Sequence, residues 1–246
     1  MLGIVNSIKI INTIENWQDY FRWLVFLPPK DDFIKLRNGI KYKVRKHDSD
    51  KWVVDELWVH GIYNSRGFEI GKNDTVIDIG AHIGVFSVFA GSQAKEVIAF
   101  EPFHESYELL KENLELNNIA NVKTVNLGVS EKREKCRIYL EENNSCCNSI
   151  CKKSDKFTEI RCITLEDVFR DYKIKHCNYL KMDCEGSEYG ILLNTPDKIL
   201  KRIDRIVLEY HDGFVEGYSH EDLQGFFEKK GFDVILKPPM MYISRK

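Results

Sequence analysis

From residue 74 onward, short apolar runs alternate with segments of helical spacing. Thr75-Val76-Ile77, Val97-Ile98-Ala99-Phe100, Val122 to Leu127, Asn178 to Met182 and Ile203 to Leu208 have the length and composition of buried strands. Val85 to Ala90 and residues 103–118 carry helical periodicity; the second places Tyr107, Leu110 and Leu114 on one face and stops near Asn117-Asn118. Residues 134–163 suggest strands around a Cys/Asn/Ser-rich loop at 143–149. A further helix begins at Thr164-Leu165-Glu166-Asp167. Helix 220–230 and strands near 232–236 and 240–244 follow. Such alternation predicts an α/β fold, a mainly parallel sheet with helices on both faces.

Upstream the pattern changes. Residues 1–27 read as helix, with Trp17, Tyr20, Phe21, Trp23, Leu24 and Phe26 ahead of Pro28-Pro29. Phe33 to Val44 reads as a hairpin turning at Arg37-Asn38-Gly39. Residues 50–70, with Asp50, Glu56 and Tyr63, form an approach segment. The expected organisation is an N-terminal helix-and-hairpin extension over 1–70 and one α/β domain over 71–246. An aromatic stripe like that of residues 17–26 most simply packs on its own domain; a dimer contact or a peripheral membrane contact are the alternatives.

Composition narrows the classes. Hydrophobic content of 43% and charged content of 30% suit a globular chain with a real core. Net charge is −2, from 36 basic and 38 acidic residues, so no bulk positive field points to nucleic acid. No run approaches the ~18 apolar residues of a membrane span. The stretch Leu2 to Ile14 is broken by Asn6, Lys9 and Asn12 and lacks a signal-peptide pattern. Seven irregularly spaced cysteines then predict a reduced, cytoplasmic protein. Cys146, Cys147 and Cys151 lack the paired spacing of a metal set and read as thiols.

The candidate chemistry begins at Asp78-Ile-Gly80-Ala-His82-Ile-Gly84, between a strand and a helix. Glu101-Pro102 ends the next strand, with the acid about 20 residues past the glycines, as in nucleoside-binding βαβ units. The glycines admit close backbone approach, and Glu101 can accept hydrogen bonds from ribose hydroxyls. A dinucleotide would need bare amides for its pyrophosphate, usually from G-x-G-x-x-G. Here His82 stands at the second glycine position, and Asp78 at the mouth would repel phosphate. A cofactor with a ribose, an ammonium and a sulfonium but no phosphate fits better: S-adenosylmethionine, with NAD-type cofactors as the competitor.

Ligands of such sheets bind beyond the carboxyl ends of the strands, where winding reverses. Asp78, Glu101, Asp183 and Glu209 all fall at strand ends. Period-two alternation groups Asp183 with Glu185, provided the strand persists, and Glu209 with His211. If the two strands are neighbours, three carboxylates and an imidazole converge. Methyl transfer to a hydroxyl needs alignment and a base; His211 is the first candidate base and Asp183 the second. Glu185 and Glu188 read equally well as helix N-terminal acids, and His82 as a cofactor-loop residue. Asp183, Glu185 and Glu209 could also hold Mg²⁺.

With these residues in view, the chain resembles the FkbM family of S-adenosylmethionine-dependent methyltransferases over roughly residues 35–212. The resemblance rests on Val76 to Ser87, Phe100-Glu101-Pro102, Asn126-Leu127-Gly128-Val129-Ser130, Thr164 to Asp167, Leu180 to Glu188 and Glu209-Tyr210-His211. It implies the class I methyltransferase (Rossmann-like) fold with a seven-stranded sheet, and O-methylation of hydroxyls on sugars, glycans or secondary metabolites. By the same resemblance Asp78, Gly80 and Gly84 contact the methionine part, Glu101 the ribose, and Gly128-Val129 the adenine. His82 and Cys184 depart from the Asn and Val common in the family. Segment 141–152 matches nothing. A nucleic-acid methyltransferase of related fold is the runner-up, but an Asn-Pro-Pro-Tyr type motif and a basic stripe are both missing. A non-catalytic S-adenosylmethionine-binding module is the third reading, against which the acid cluster speaks.

Overall fold

The computed structural model describes residues 4–24, 32–46, 48–141, 144–151 and 154–245. Two helices, α1 (Ile4–Thr13) and α2 (Trp17–Leu24), stand where one was expected, because the chain breaks at Ile14 to bridge with Leu36. Phe26 and Pro28-Pro29 lie outside the described residues. The expected hairpin is present: β1 (Phe33–Lys35) pairs antiparallel with β2 (Lys41–Lys43), and Gly39 takes φ +92° in the turn. The approach segment is helical, α3 (Asp50–Asp55) running into a π-helical turn at Glu56–His60 that Gly61 ends at φ +69°.

The α/β part follows as β3 (Thr75–Ile79), α4 (Val85–Gly91), β4 (Glu96–Phe100), α5 (His104–Leu116) and β5 (Val122–Val125). Then come β6 (Gly128–Val129), β7 (Glu134–Tyr139), β8 (Phe157–Ile163), α6 (Leu165–Asp171) and β9 (Cys177–Met182). The remainder is α7 (Ser187–Leu193), α8 (Asp197–Leu200), β10 (Ile203–Glu209), α9 (His220–Lys229), β11 (Phe232–Lys237) and β12 (Met240–Arg245).

Seven strands form one sheet in the order β11-β12-β10-β9-β3-β4-β5. Its core from β10 to β5 is parallel, and β12 runs antiparallel to both neighbours. Winding reverses between β3 and β9. The third strand stops two residues earlier than expected. Asn126 turns the chain there by donating to the carbonyls of Glu101 (2.9 Å) and Pro102 (3.1 Å), which sends Gly128–Val129 into a separate sheet, β6-β8-β7.

Side-chain alternation divides the sheet into two buried faces. Val76, Val97, Ala99, Tyr179 and Val207 pack against α4, α5 and the N-terminal elements. Ile77, Ile98, Phe100, Leu180, Met182 and Leu208 pack against α6, α7, α8 and α9. Ile10, Ile14, Tyr20, Ile34 and Tyr42 belong to the first of these cores, so the N-terminal stripe is directed inward where it is described. The Tyr42 hydroxyl donates to the Val85 carbonyl (3.1 Å), and that of Tyr20 donates to Asp55. Among the described residues, no helix is long and apolar enough to cross a membrane.

Candidate active site

A cavity, partly open to solvent, lies at the carboxyl ends of β3, β4 and β9, where winding reverses. Phe100, Leu127, Val129, Ile138 and Ile160 give it apolar walls; His82, Glu101, Lys181, Asp183 and Glu185 are polar. Gly80, Pro102 and Gly128 also line it, whereas Asp78, Gly84, Glu209 and His211 do not.

The glycines of the turn serve the protein's own packing. Gly80 sits at φ +76°, and a Cβ there would stand 1.7 Å from the Asp183 carbonyl oxygen. Gly84 sits at φ +86°, with a Cβ 2.4 Å from Leu110 Cδ1. Both conditions exclude any larger residue. Gly128 is similarly confined by Cys162 Sγ, at 2.9 Å.

Asp78 is fully buried, and its donors are protein groups. Ser87 Oγ donates to its Oδ2 (2.6 Å), and Lys181 Nζ stands 3.3 Å from its Oδ1. Lys181, across the register from Asp78, also donates to the Gly80 carbonyl (2.6 Å). Burial pushes its pKa down, but Asp78 and Asp183 outweigh that and hold it above its ordinary value. Sequence reasoning gave Lys181 no role. The available signal was a charge between Leu180 and Met182 in an apolar strand, which is costly unless paired.

Glu101 accepts from the backbone N–H groups of Phe103 (2.8 Å) and His82 (2.7 Å). Burial pushes its carboxyl up to about 7, while those two amides pull it down. A carboxylate offers about four acceptor positions, so capacity remains on a residue that lines the cavity.

A second cluster forms at β9 and β10, which are parallel neighbours with Leu208 opposite Met182. The convergence expected of Asp183, Glu185, Glu209 and His211 is observed. His211 Nε2 lies 4.0 Å from Asp183 Oδ1 and 3.5 Å from Glu185 Oε2, and its Nδ1 lies 3.3 Å from Glu188 Oε1. Glu185 arrives by a turn, since β9 ends at Met182 and residues 185 and 186 take φ +53° and +99°. Glu188 is fully buried and closes that turn, accepting from the N–H groups of Cys184 (2.8 Å) and Gly186 (2.9 Å). Of its two readings, the helix N-terminal acid is the observed one.

Charge decides what these groups can do. Burial pushes Glu185 up to about 9 even though His211 opposes it, and burial with Asp183 nearby raises Glu209. For His211 burial acts downward, but Glu188, Asp183 and Glu185 outweigh it and bring the imidazole to about 10. The carboxylates around it thus favour the charged ring, and His211 does not line the cavity, whereas Asp183, the second candidate base, does. Among the described residues, Asp183, Glu209 and His211 bring ligand atoms within 4.8 Å of one another, whereas Glu185, expected with Asp183 and Glu209 to hold Mg²⁺, is not in that group. An imidazole in the set does not suit Mg²⁺, which takes oxygen ligands.

Two residues of the approach segment join the cluster. Buried Tyr63 donates its hydroxyl to Asp183 Oδ2 (3.2 Å), and burial with Asp183 nearby raises Glu56 to about 7. The loop without a match supplies Ser145, Asn148 and Ile150 to the cavity wall. Ser145 is tied to the extension, since Arg45 Nη2 reaches Ser145 Oγ (2.6 Å), Asp50 Oδ1 (2.7 Å) and His82 Nε2 (2.9 Å).

Comparisons with known proteins agree with this architecture. The solved structure of methyltransferase FkbM from Methylobacillus flagellatus KT aligns with a TM-score of 0.52 at 14% identity, over 78% of this chain and 53% of that one. The likeness shows the class I methyltransferase fold. The 31-O-demethyl-FK506 methyltransferase FkbM of Streptomyces tacrolimicus is 23% identical over 85% of this chain and 92% of its own length. AMB antimetabolite synthetase AmbE of Pseudomonas aeruginosa is 24% identical over 83% of this chain, which spans only 12% of that protein. The family model described as the methyltransferase FkbM domain matches residues 78–234, from the aspartate of the glycine turn to the middle of β11. The chain belongs to the FkbM-domain methyltransferase family.

Proposed function

We propose that this chain transfers a methyl group from S-adenosylmethionine to a hydroxyl of a sugar, glycan or secondary metabolite, with Asp183 orienting that hydroxyl and taking its proton. The residues that line the cavity support the cofactor reading. Glu101 has acceptor capacity for ribose hydroxyls, Gly128 and Val129 with Phe100 and Leu127 offer an apolar slot for adenine, and Gly80 to His82 border the methionine part. When bound, the cofactor supplies a methyl already activated as a sulfonium. The protein's task is alignment and proton removal.

The observation that carries this reading is the position of Asp183. It alone of the Asp183, Glu209 and His211 group lines the cavity, and Tyr63 holds one of its oxygens. The His211 ring sits between Asp183 and Glu185, 4.0 Å from Asp183 Oδ1 and 3.5 Å from Glu185 Oε2. The Streptomyces tacrolimicus relative, a 31-O-demethyl-FK506 methyltransferase, supports the acceptor class. A nucleic-acid acceptor is disfavoured, because a chain of net charge −2 offers no bulk positive field for phosphates.

The test is incubation with methyl-labelled S-adenosylmethionine and a panel of hydroxyl-bearing glycans and metabolites. Label in an O-methyl ether is expected. Asp183→Asn is expected to lower kcat about a hundredfold or more while cofactor affinity stays within about twofold. Label found only in RNA, or on nitrogen or carbon, rejects the proposal.

A further inference from the structure

We infer that residues 144–151 form a lid over the cavity, latched shut by Ser145 against the N-terminal extension, and that the cofactor enters and leaves when this latch opens. The inference rests on the S-adenosylmethionine reading above.

The cavity is narrow: its free volume is about 80 Å³, whereas sites that take small organic ligands enclose roughly 300–1,000 Å³. A ligand of nucleoside size therefore enters only if a wall gives way. Most of the walls belong to the core. Ile79 and Phe100 end buried strands, and Val85 and Phe86 begin the buried helix α4. Phe86 packs on the rings of Tyr63 and Tyr179, with centroids 5.3 and 5.7 Å away. Leu57, from the approach segment, shares a buried cluster with Ile10, Tyr20 and Val54. Displacing any of these would expose apolar surface to water.

Segment 144–151 is built differently. It brings Ser145, Asn148 and Ile150 to the cavity from the connection between β7 and β8. Its root is tied to β7 by two backbone hydrogen bonds between Ser149 and Tyr139, at 2.8 and 3.1 Å. Its tip is a short turn closed on itself: the N–H groups of Cys147 and Asn148 donate to the carbonyls of Asn144 (3.0 Å) and Ser145 (3.3 Å). Ser145 joins that tip to the extension by polar contacts. Its backbone N–H and its hydroxyl both donate to Asp48 Oδ1, each at 2.9 Å, and Arg45 Nη2 donates to its Oγ (2.6 Å). The same Oγ lies 2.8 Å from His82 Nε2, so one side chain ties lid, extension and glycine turn together. Such hydrogen bonds are exchanged for bonds to water at modest net cost. The tip can thus swing about Ser149 while the core walls stay in place. Arg45 and Asp48 precede residue 78, where the family match begins, so the extension's half of the latch lies outside the family domain.

Binding kinetics on the immobilised chain, read by surface plasmon resonance, test this. Ser145→Ala is expected to raise the association and dissociation rates of S-adenosylmethionine together, each at least about fivefold, with affinity changed less than about threefold. Faster dissociation alone would make Ser145 a ligand contact, and unchanged rates would mean that the tip is no barrier; either result overturns the inference. A second variant pushes the other way. Asp48→Cys with Ser145→Cys is oxidised to a disulfide, checked by peptide mass, and the wild type is carried through the same oxidation as control. The cross-linked chain should take up S-adenosylmethionine at least about a hundredfold more slowly, and dithiothreitol should restore uptake. A cross-linked chain that binds at the wild-type rate overturns the inference. A wild type that binds no S-adenosylmethionine instead overturns the cofactor reading itself.

Discussion

The two ends of the cavity handle buried acids in opposite ways. At the ends of β3 and β4, Asp78 has Ser87 and Lys181, and Glu101 has two backbone amides. At the ends of β9 and β10, Glu56, Asp183, Glu185, Glu188 and Glu209 share His211 and a part of Lys181. The first end is pre-organised, with fixed donors that no ligand has to bring. The second carries more carboxyls than cations, and burial, with like charge nearby, raises Glu56, Glu185 and Glu209. A site that must hold a nucleoside profits from the first arrangement. One that must take a proton from a hydroxyl profits from a carboxylate within its reach.

The sharpest way to break this contrast is to remove one group from each end. Lys181→Met strands the fully buried Asp78 without its cation. Breaking such a pair costs about 3–5 kcal/mol, which for a chain of this size lowers Tm by roughly 6–20 °C. Glu209→Gln, at the half-buried opposite end, relieves repulsion and is expected to leave Tm within about 2 °C. Calorimetric scans of the two variants decide it. Equal losses would mean that the acids of both ends are equally paired.

Glu101→Ala carries the contrast into binding. It deletes acceptors that the ribose hydroxyls would use and frees the amides of His82 and Phe103. Hydrogen bonds to a charged group are worth about 1.5–3 kcal/mol each, so titration calorimetry should show S-adenosylmethionine bound at least about tenfold more weakly. Undiminished affinity would remove the ribose assignment.

Much of this was legible in the sequence, because strand ends are local features. The run Val76 to Gly84, the acid closing Val97 to Phe100, and the pairs Asp183/Glu185 and Glu209/His211 each announce a strand, a turn and a face. Periodicity could not say what lies across from a face. It did not show that Lys181 sits opposite Asp78 and takes up one of its oxygens, or that Asp183's carbonyl fills the space beside Gly80. Nor could it supply Tyr63, Glu56, Arg45 and Ser145, which come from segments without a regular period and reach the site by tertiary packing alone. The surroundings of His211 were hidden for the same reason. A histidine at a strand end reads as a base until the carboxylates around it are counted.

That count also yields a dependence of stability on pH. Glu185 is raised to about 9 from an unfolded value of about 4.3, and His211 to about 10 from about 6.5. In both cases the folded chain keeps a proton that the unfolded chain releases, so stability falls as pH rises. The Glu185 contribution is full below about pH 4.3 and lost by about 9; that of His211 is full below about 6.5 and lost by about 10. Asp167, lowered to about 2 by Arg133 and the Thr164 amide against its burial, acts in the opposite sense and only in acid. Between pH 6.5 and 9 the wild type should therefore lose stability, by up to about 1.4 kcal/mol per pH unit for each proton that the folded chain alone keeps. Glu185→Gln keeps the shape of the neutral acid and cannot ionise, so its slope should be shallower while that of Glu101→Ala, at the other end, keeps most of the wild-type fall. A flat wild-type profile over this range would mean that the β9 and β10 acids are as well paired as those of the glycine turn.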